Sequence, residues 1–176
     1  MSEAGTQIGI ARTRAGAIVA TGPVDPRPAI DEAAVRAALA EVMDPELPMV
    51  SIVDLGMIGA VGVAAAIDVE VLPTYIGCPA LELIRGAVAE RLSAFGRPVR
   101  VTASFQTPWT SDRITTAGLA ALASAGIAPP TDVADTRCPL CASADVVRDS
   151  FFGPTQCRSL YYCRSCRQPF EAIKPV

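Results

Sequence analysis

Apolar positions along the chain change period several times, and each change marks an element. From Asp31 onward Val35, Leu39, Val42 and Met43 recur at helical spacing through an alanine-rich stretch, until Asp44-Pro45-Glu46-Leu47-Pro48 stops the run. Two short strands are expected next, over 57–63 and 67–72. In the second, Ile67, Val69 and Val71 alternate with Asp68 and Glu70, the period of a half-buried strand. Beyond Cys78-Pro79, the residues Leu81, Ile84, Val88, Leu92 and Phe95 form one apolar stripe that ends at Gly96, a helix stop. Alternation resumes at Val99, Val101, Ala103 and Phe105, so a third strand lies parallel to the second across a helical crossover. A last short helix is expected over about 111–125, closing at Gly126. The pattern predicts an α/β (α+β) two-layer domain with a small mixed sheet over 29–130. A linker over 131–136 follows Pro129-Pro130, and a small four-cysteine module fills 137–176. Residues 1–28 show no sustained periodicity and end in Gly22-Pro23, Pro26 and Pro28, which predicts a flexible lead-in.

Composition narrows the classes. A chain of 176 residues that is 51% hydrophobic suits one packed domain with an appendage. Its longest apolar run, 56–67, is shorter than the ~18 residues of a membrane span and leads into Asp68 and Glu70. Only a short apolar patch follows Arg12 and Arg14, which argues against a secretory signal, so a cytoplasmic protein with reduced thiols is expected. Residues 1–136 carry 9 basic and 15 acidic groups, whereas 137–176 carry 6 basic and 3 acidic. Four thiolates on a divalent ion would bring that tail to about +1, too feeble a charge to attract nucleic acid.

Histidine is absent, which removes Ser-His-Asp and Cys-His nucleophile pairs, His-ligated zinc hydrolases and Glu-x-x-His di-iron sites. The single lysine, Lys174, excludes a phosphate loop of the Gly-x4-Gly-Lys type, and no Gly-x-Gly-x-x-Gly occurs.

The strongest chemical signal is Cys138-Pro139-Leu140-Cys141 with Cys163-Arg164-Ser165-Cys166, two Cys-x-x-Cys pairs separated by 21 residues. Two such knuckles close a tetrahedral four-sulfur site of zinc-ribbon type, with Zn2+ favoured over Fe; two disulfide or redox pairs are the competing reading. A closed site leaves no coordination position for substrate. Five of the nine aromatic residues lie in this module, which suits a small core stapled by an ion.

A second constellation surrounds Thr74-Tyr75-Ile76-Gly77-Cys78-Pro79, where a strand gives way to a helix. Cys78 at a helix N-cap would be favoured as thiolate and could attack, oxidise or bind a soft metal; otherwise it is a small buried residue preceding a helix-starting proline. Thr74 belongs with it or is only a strand residue. Asp44, Glu46 and Asp54 could supply carboxylate ligands or a base at the same end of the sheet, or cap turns. Trp109 lines a recognition surface or fixes a turn from the core. Cys157, the odd sulfur of the tail, packs in the ribbon, replaces a ligand or joins Cys78. Arg158, Arg164, Arg167 and Lys174 read as mostly solvated charges, with an acidic docking partner as the alternative.

Asp44-Pro45-Glu46-Leu47-Pro48, Ser51-Ile52-Val53-Asp54-Leu55-Gly56, Thr74-x3-Cys78-Pro79 and Pro108-Trp109-Thr110-x-Asp112 together resemble the small α/β domain of SufT-type iron–sulfur assembly factors. With Gly126-Ile127-Ala128-Pro129-Pro130, the four-cysteine knuckles and Pro169-Phe170-Glu171, the chain is similar to the PaaD family associated with bacterial phenylacetyl-CoA epoxidase. The resemblance implies an accessory or maturation subunit in aerobic phenylacetate degradation, assisting iron or iron–sulfur assembly on the oxygenase and reductase components. A homo-oligomer is a further expectation, and the chain is not expected to catalyse the oxidation itself. By position, Cys78 matches the family's reactive or cluster-handling cysteine, which would hold iron or a cluster transiently. Asp44, Glu46, Asp54, Thr74 and Trp109 match family positions. Two other readings remain: a thiol-dependent enzyme using Cys78, and a non-catalytic zinc-ribbon adaptor that scaffolds partners.

Overall fold

The computed structural model describes residues 10–12, 18–20 and 30–176, in two units, residues 1–30 and 31–176. In the first unit, β1 (Ile10–Arg12) pairs antiparallel with β2 (Ile18–Ala20), strands too short for any alternation to register. The remainder of the lead-in expected over 1–28 lies outside the described residues.

The second unit opens with α1 (Glu32–Leu39). Asp31 caps it by accepting the Ala34 N–H at 2.7 Å, and Arg36 reaches back to Glu32 at 2.7 Å. Val35, Ala38 and Leu39 are buried. The helix is shorter than its periodicity predicts, because 40–56 folds as stacked turns. Val42 is still buried there, but Met43 is 49% exposed and bridges to Ser51.

β3 (Ile58–Val63) pairs antiparallel with β4 (Ile67–Val71), which pairs parallel with β5 (Val99–Ala103), giving a mixed sheet ordered β3-β4-β5. The crossover helix α2 (Leu81–Ser93) buries Ile84, Val88 and Leu92. Ile67, Val69 and Val71 of β4 are buried as well, while Asp68 on the other face takes both Arg100 donors at 2.6 and 2.9 Å. This is the expected two-layer α/β arrangement.

The helix expected over 111–125 is broken. A 3-10 turn, Ser111–Arg113, gives way to extended Ile114, and Thr115 caps α3 (Thr116–Ser124) by accepting the Gly118 N–H at 3.0 Å. The break brings α3 against the preceding turns: a Cβ on Gly118 would lie 2.5 Å from the Asp54 carbonyl oxygen, so only glycine permits the approach.

From Gly126 the chain enters β6 (Ile127–Ala128), which pairs parallel with β9 (Pro169–Ile173). With β8 (Arg158–Cys163) and β7 (Val146–Ser150), both antiparallel to their neighbours, the sheet is ordered β6-β9-β8-β7. The stretch read as a linker therefore follows a strand of the ribbon sheet. The ribbon core comprises Ala128, Cys138, Tyr161, Cys163, Phe170 and Ala172, with Tyr161 stacked on Phe170 at 5.5 Å. It uses fewer aromatics than the composition suggests, since Phe151 and Phe152 are 53% and 57% exposed. No helix among the described residues is long and apolar enough to cross a membrane.

Candidate functional site

The tail cysteines converge from two turns. Cys138 and Cys141 precede β7, Cys163 ends β8, and Cys166 lies in the turn before β9. Cys138 Sγ is 3.7 Å from Cys166 Sγ and Cys141 Sγ is 3.6 Å from Cys163 Sγ, with all four sulfurs within 4.8 Å of one another. A disulfide needs ~2.05 Å. A tetrahedron of ~2.3 Å zinc–sulfur bonds has sulfur–sulfur edges of about 3.8 Å, so the set fits zinc or iron and not two disulfides. The knuckles are held by the backbone: the Ala142 N–H donates to the Cys138 carbonyl at 2.8 Å and the Cys163 N–H to that of Gln168 at 3.0 Å. The Cys166 N–H favours the thiolate of Cys163 and lowers its pKa, whereas burial raises that of Cys166.

Each knuckle closes through a left-handed residue that is not glycine, Ala142 and Arg167, both at φ 60°. Side chains resist that conformation by roughly 1–2 kcal/mol. Ala142→Gly is therefore expected to raise stability by about 1 kcal/mol, read as a shift in the denaturation midpoint of the metal-loaded protein.

The second constellation assembles around the loop between β4 and α2. Ala80, not Cys78, occupies the N-cap of α2, because a turn through Pro79 intervenes. The expected thiolate is not favoured. Burial raises the Cys78 pKa, the Ala80 backbone N–H opposes this, and the carboxylates of Glu46 and Asp44 with the sulfur of Cys157 raise it further. Cys78 lines a cavity of about 20 Å³ with Asp44, Glu46, Thr74 and Trp109, and the ribbon closes it with Cys157 and Ile173.

Asp44 is 7% exposed, and its Oδ1 accepts the N–H groups of Glu46 and Leu47 at 2.8 and 2.9 Å. Burial nevertheless raises its pKa, and burial together with the Asp44 charge raises that of Glu46. Asp54 does not reach the cavity. It accepts Ser51 Oγ at 2.8 Å and Thr115 Oγ1 at 2.7 Å, joining two turns. Trp109 is 5% exposed and donates its indole N–H to the Leu55 carbonyl at 2.8 Å, so it is anchored in the core while its remaining surface lines cavities.

Two tail cations are not solvated. Arg158, 8% exposed, pairs with Glu171 and donates to Thr155 Oγ1. Lys174 donates to the Gln156 carbonyl and sits over Phe151 and Phe152 at 4.0 and 4.3 Å from the ring centroids. Burial lowers its pKa.

Residues 32–105 match the iron–sulfur cluster assembly protein family, and residues 126–174 match the PaaD zinc beta ribbon domain. An Escherichia coli K12 protein, named as a "Putative 1,2-phenylacetyl-CoA epoxidase" component, is 38% identical over 149 residues, covering 80% of this chain and 90% of its own length. This chain belongs to the PaaD family. Among solved structures, a domain of unknown function from Bacillus anthracis is 30% identical over 52% of the chain and 90% of its own, with a TM-score of 0.49. A Mycobacterium tuberculosis protein associated with Fe–S complex assembly and repair is 27% identical over 60% of the chain and 96% of its own, with a TM-score of 0.34.

In this PaaD-family chain the two matched segments meet at the cavity: Cys78 lies in the assembly segment and Cys157 in the ribbon segment. Cys157 had a weak sequence signal, being the odd tail cysteine just ahead of the strand that ends in Cys163. Its Sγ contacts Thr155 Oγ1 at 3.2 Å and its carbonyl accepts the Lys174 N–H.

The buried Asp44 predicts a pH dependence. A carboxyl whose pKa is higher folded than unfolded favours the fold at low pH and loses that contribution as pH rises through the folded value. Asp44→Asn keeps an Oδ1 acceptor for the two N–H groups. Its melting temperature relative to the parent is expected to increase from about pH 4 to about pH 7, and a flat difference would refute a carboxylate destabilised by burial.

Proposed function

We propose that this chain is an accessory, maturation subunit of a phenylacetyl-CoA epoxidase system that assists iron or iron–sulfur assembly on its oxygenase or reductase partners. One observation carries the reading. The iron–sulfur assembly segment and the PaaD ribbon enclose a single cavity bearing Cys78, Cys157 and two carboxylates, in a chain that covers 90% of the E. coli epoxidase component. The ribbon metal serves structure, since four sulfurs leave no open position. Cargo is handled at Cys78. A thiol enzyme is less well supported, because burial and adjacent acids disfavour the thiolate and the chain has no histidine to act as base.

The test is co-production of the epoxidase components with and without this chain, followed by measurement of their iron and acid-labile sulfide. Metal content is expected to fall without the chain. Unchanged iron and sulfide in every component would remove the maturation role.

A further inference from the structure

We infer that the cavity beside Lys174, on the ribbon side of Trp109, is a binding site for a small organic carboxylate with a flat apolar body. Cys78 is not in its wall, and the inference goes beyond the maturation reading. The register of the ribbon sheet gathers the polar groups. Arg148 of β7 stands opposite Tyr161 of β8, and Ser159 stands opposite Ala172 of β9, so alternation puts Arg148, Ser159 and Tyr161 on one face. Lys174, two positions beyond Ala172, continues that face, because its N–H donates to the Cys157 carbonyl at 2.9 Å and extends the pairing of β8 with β9. All four residues line one cavity of about 260 Å³.

Charge decides for an anion. Lys174 is 9% exposed, yet among the described residues its ammonium meets only the Gln156 carbonyl and the faces of Phe151 and Phe152, and no carboxylate. Two of its three donors are therefore free, and a buried cation without a counter-ion is costly. Arg148 approaches the same Phe151 ring, at 5.3 Å from the centroid, and likewise pairs with no carboxylate among the described residues. Burial lowers the Lys174 pKa, the sulfur of Cys157 opposes this, and the Arg148 charge lowers it further, so an anion here relieves both cations. Tyr161 is 4% exposed and its hydroxyl has no partner among the described residues. That hydroxyl is not sealed in, since Arg97 Nε is the only unpartnered side-chain atom shut off from solvent among them, and it is left to donate into the cavity. Exposed Asp132 is the only acid in the wall, against two cations.

The walls decide the body of the ligand. Tyr75, Trp109, Phe151 and Tyr161 all line the cavity, and the indole N–H of Trp109 is spent on the Leu55 carbonyl, so what it offers is ring surface. Inorganic phosphate would satisfy the cations and leave these walls uncovered. Size sets the upper limit: about 260 Å³ falls below the ~300–1,000 Å³ of sites for drug-sized ligands, which suits an acid of one ring and excludes a whole nucleotide.

The full chain, with zinc in the ribbon, would be titrated with benzoate as the probe, and binding read by calorimetry and by the fluorescence of Trp109, the only tryptophan. One benzoate per chain is expected, bound about tenfold more tightly than benzamide, which has the same shape without the charge, and inorganic phosphate is expected to give no response. Lys174→Met is expected to weaken benzoate binding by about tenfold, Tyr161→Phe by about fivefold and the exposed Arg148→Gln by about threefold. If Lys174→Met or Tyr161→Phe lowers the melting temperature, Arg148→Gln decides. No response to benzoate, equal binding of benzamide or of phosphate, or parental affinity in Arg148→Gln overturns the site. None of these readings involves partner iron, so failure of the carboxylate site and failure of the maturation role are distinguished.

Discussion

Loss of the ribbon metal, by chelation or by Cys138→Ser, is expected to unfold the segment matched over 126–174 and leave the α/β portion standing. The ribbon core is six residues, two of them metal ligands, and such a core does not hold a four-stranded sheet unaided. Structural zinc supplies on the order of 10 kcal/mol in comparable small modules. The α/β portion has its own buried set, including Leu39, Ile52, Met57, Leu72, Ile84 and Leu92. Limited proteolysis provides the check. Arg158 and Lys174, 8% and 9% exposed in the intact protein, are expected to become tryptic sites. Cys78 should be alkylated severalfold faster, because Cys157 and Ile173 no longer close its cavity. Full protection of Arg158 after metal removal would show that the ribbon stands without an ion.

Much of this architecture is legible from periodicity. Ile67, Val69 and Val71 alternate in the sequence and alternate in burial, and the stripe at Ile84, Val88 and Leu92 is the buried face of α2. The ribbon ligands are legible because the Cys-x-x-Cys spacing is itself the geometry of a knuckle. What the pattern misses lies where tertiary contact overrides local preference. Ile114 breaks the last helix because the chain must present Thr115 both to Asp54 and to Gly118. Cys78 loses its expected thiolate because burial and two carboxylates from a distant loop outweigh the Ala80 backbone N–H. Cys157, 79 positions away in sequence, reaches the same cavity only through packing of the ribbon on the α/β portion. Ion pairing and aromatic cover likewise remove Arg158 and Lys174 from solvent, although their neighbours in sequence suggest a charged surface.

Cys78→Ser is expected to abolish growth on phenylacetate as completely as deletion of the chain, with little change in stability. The two side chains are close in size. Serine retains the turn in which the Cys78 N–H donates to the Tyr75 carbonyl and the Leu81 N–H donates to that of Cys78. A shift within about 1 kcal/mol is therefore expected in thermal unfolding. The lost property is ligand softness: a serine hydroxyl neither ionises readily nor binds a thiophilic ion, which the proposed handling of cargo at Cys78 requires. Asp54→Ala provides the contrast. Its carboxylate joins Ser51 to Thr115 away from the cavity, so it should lower the melting temperature while protein that remains folded still supports growth. Partner iron separates the readings further. Growth of Cys78→Ser at the wild-type rate would leave only a scaffolding role for the chain. Absence of growth with fully iron-loaded partners would place the function of Cys78 downstream of metal delivery.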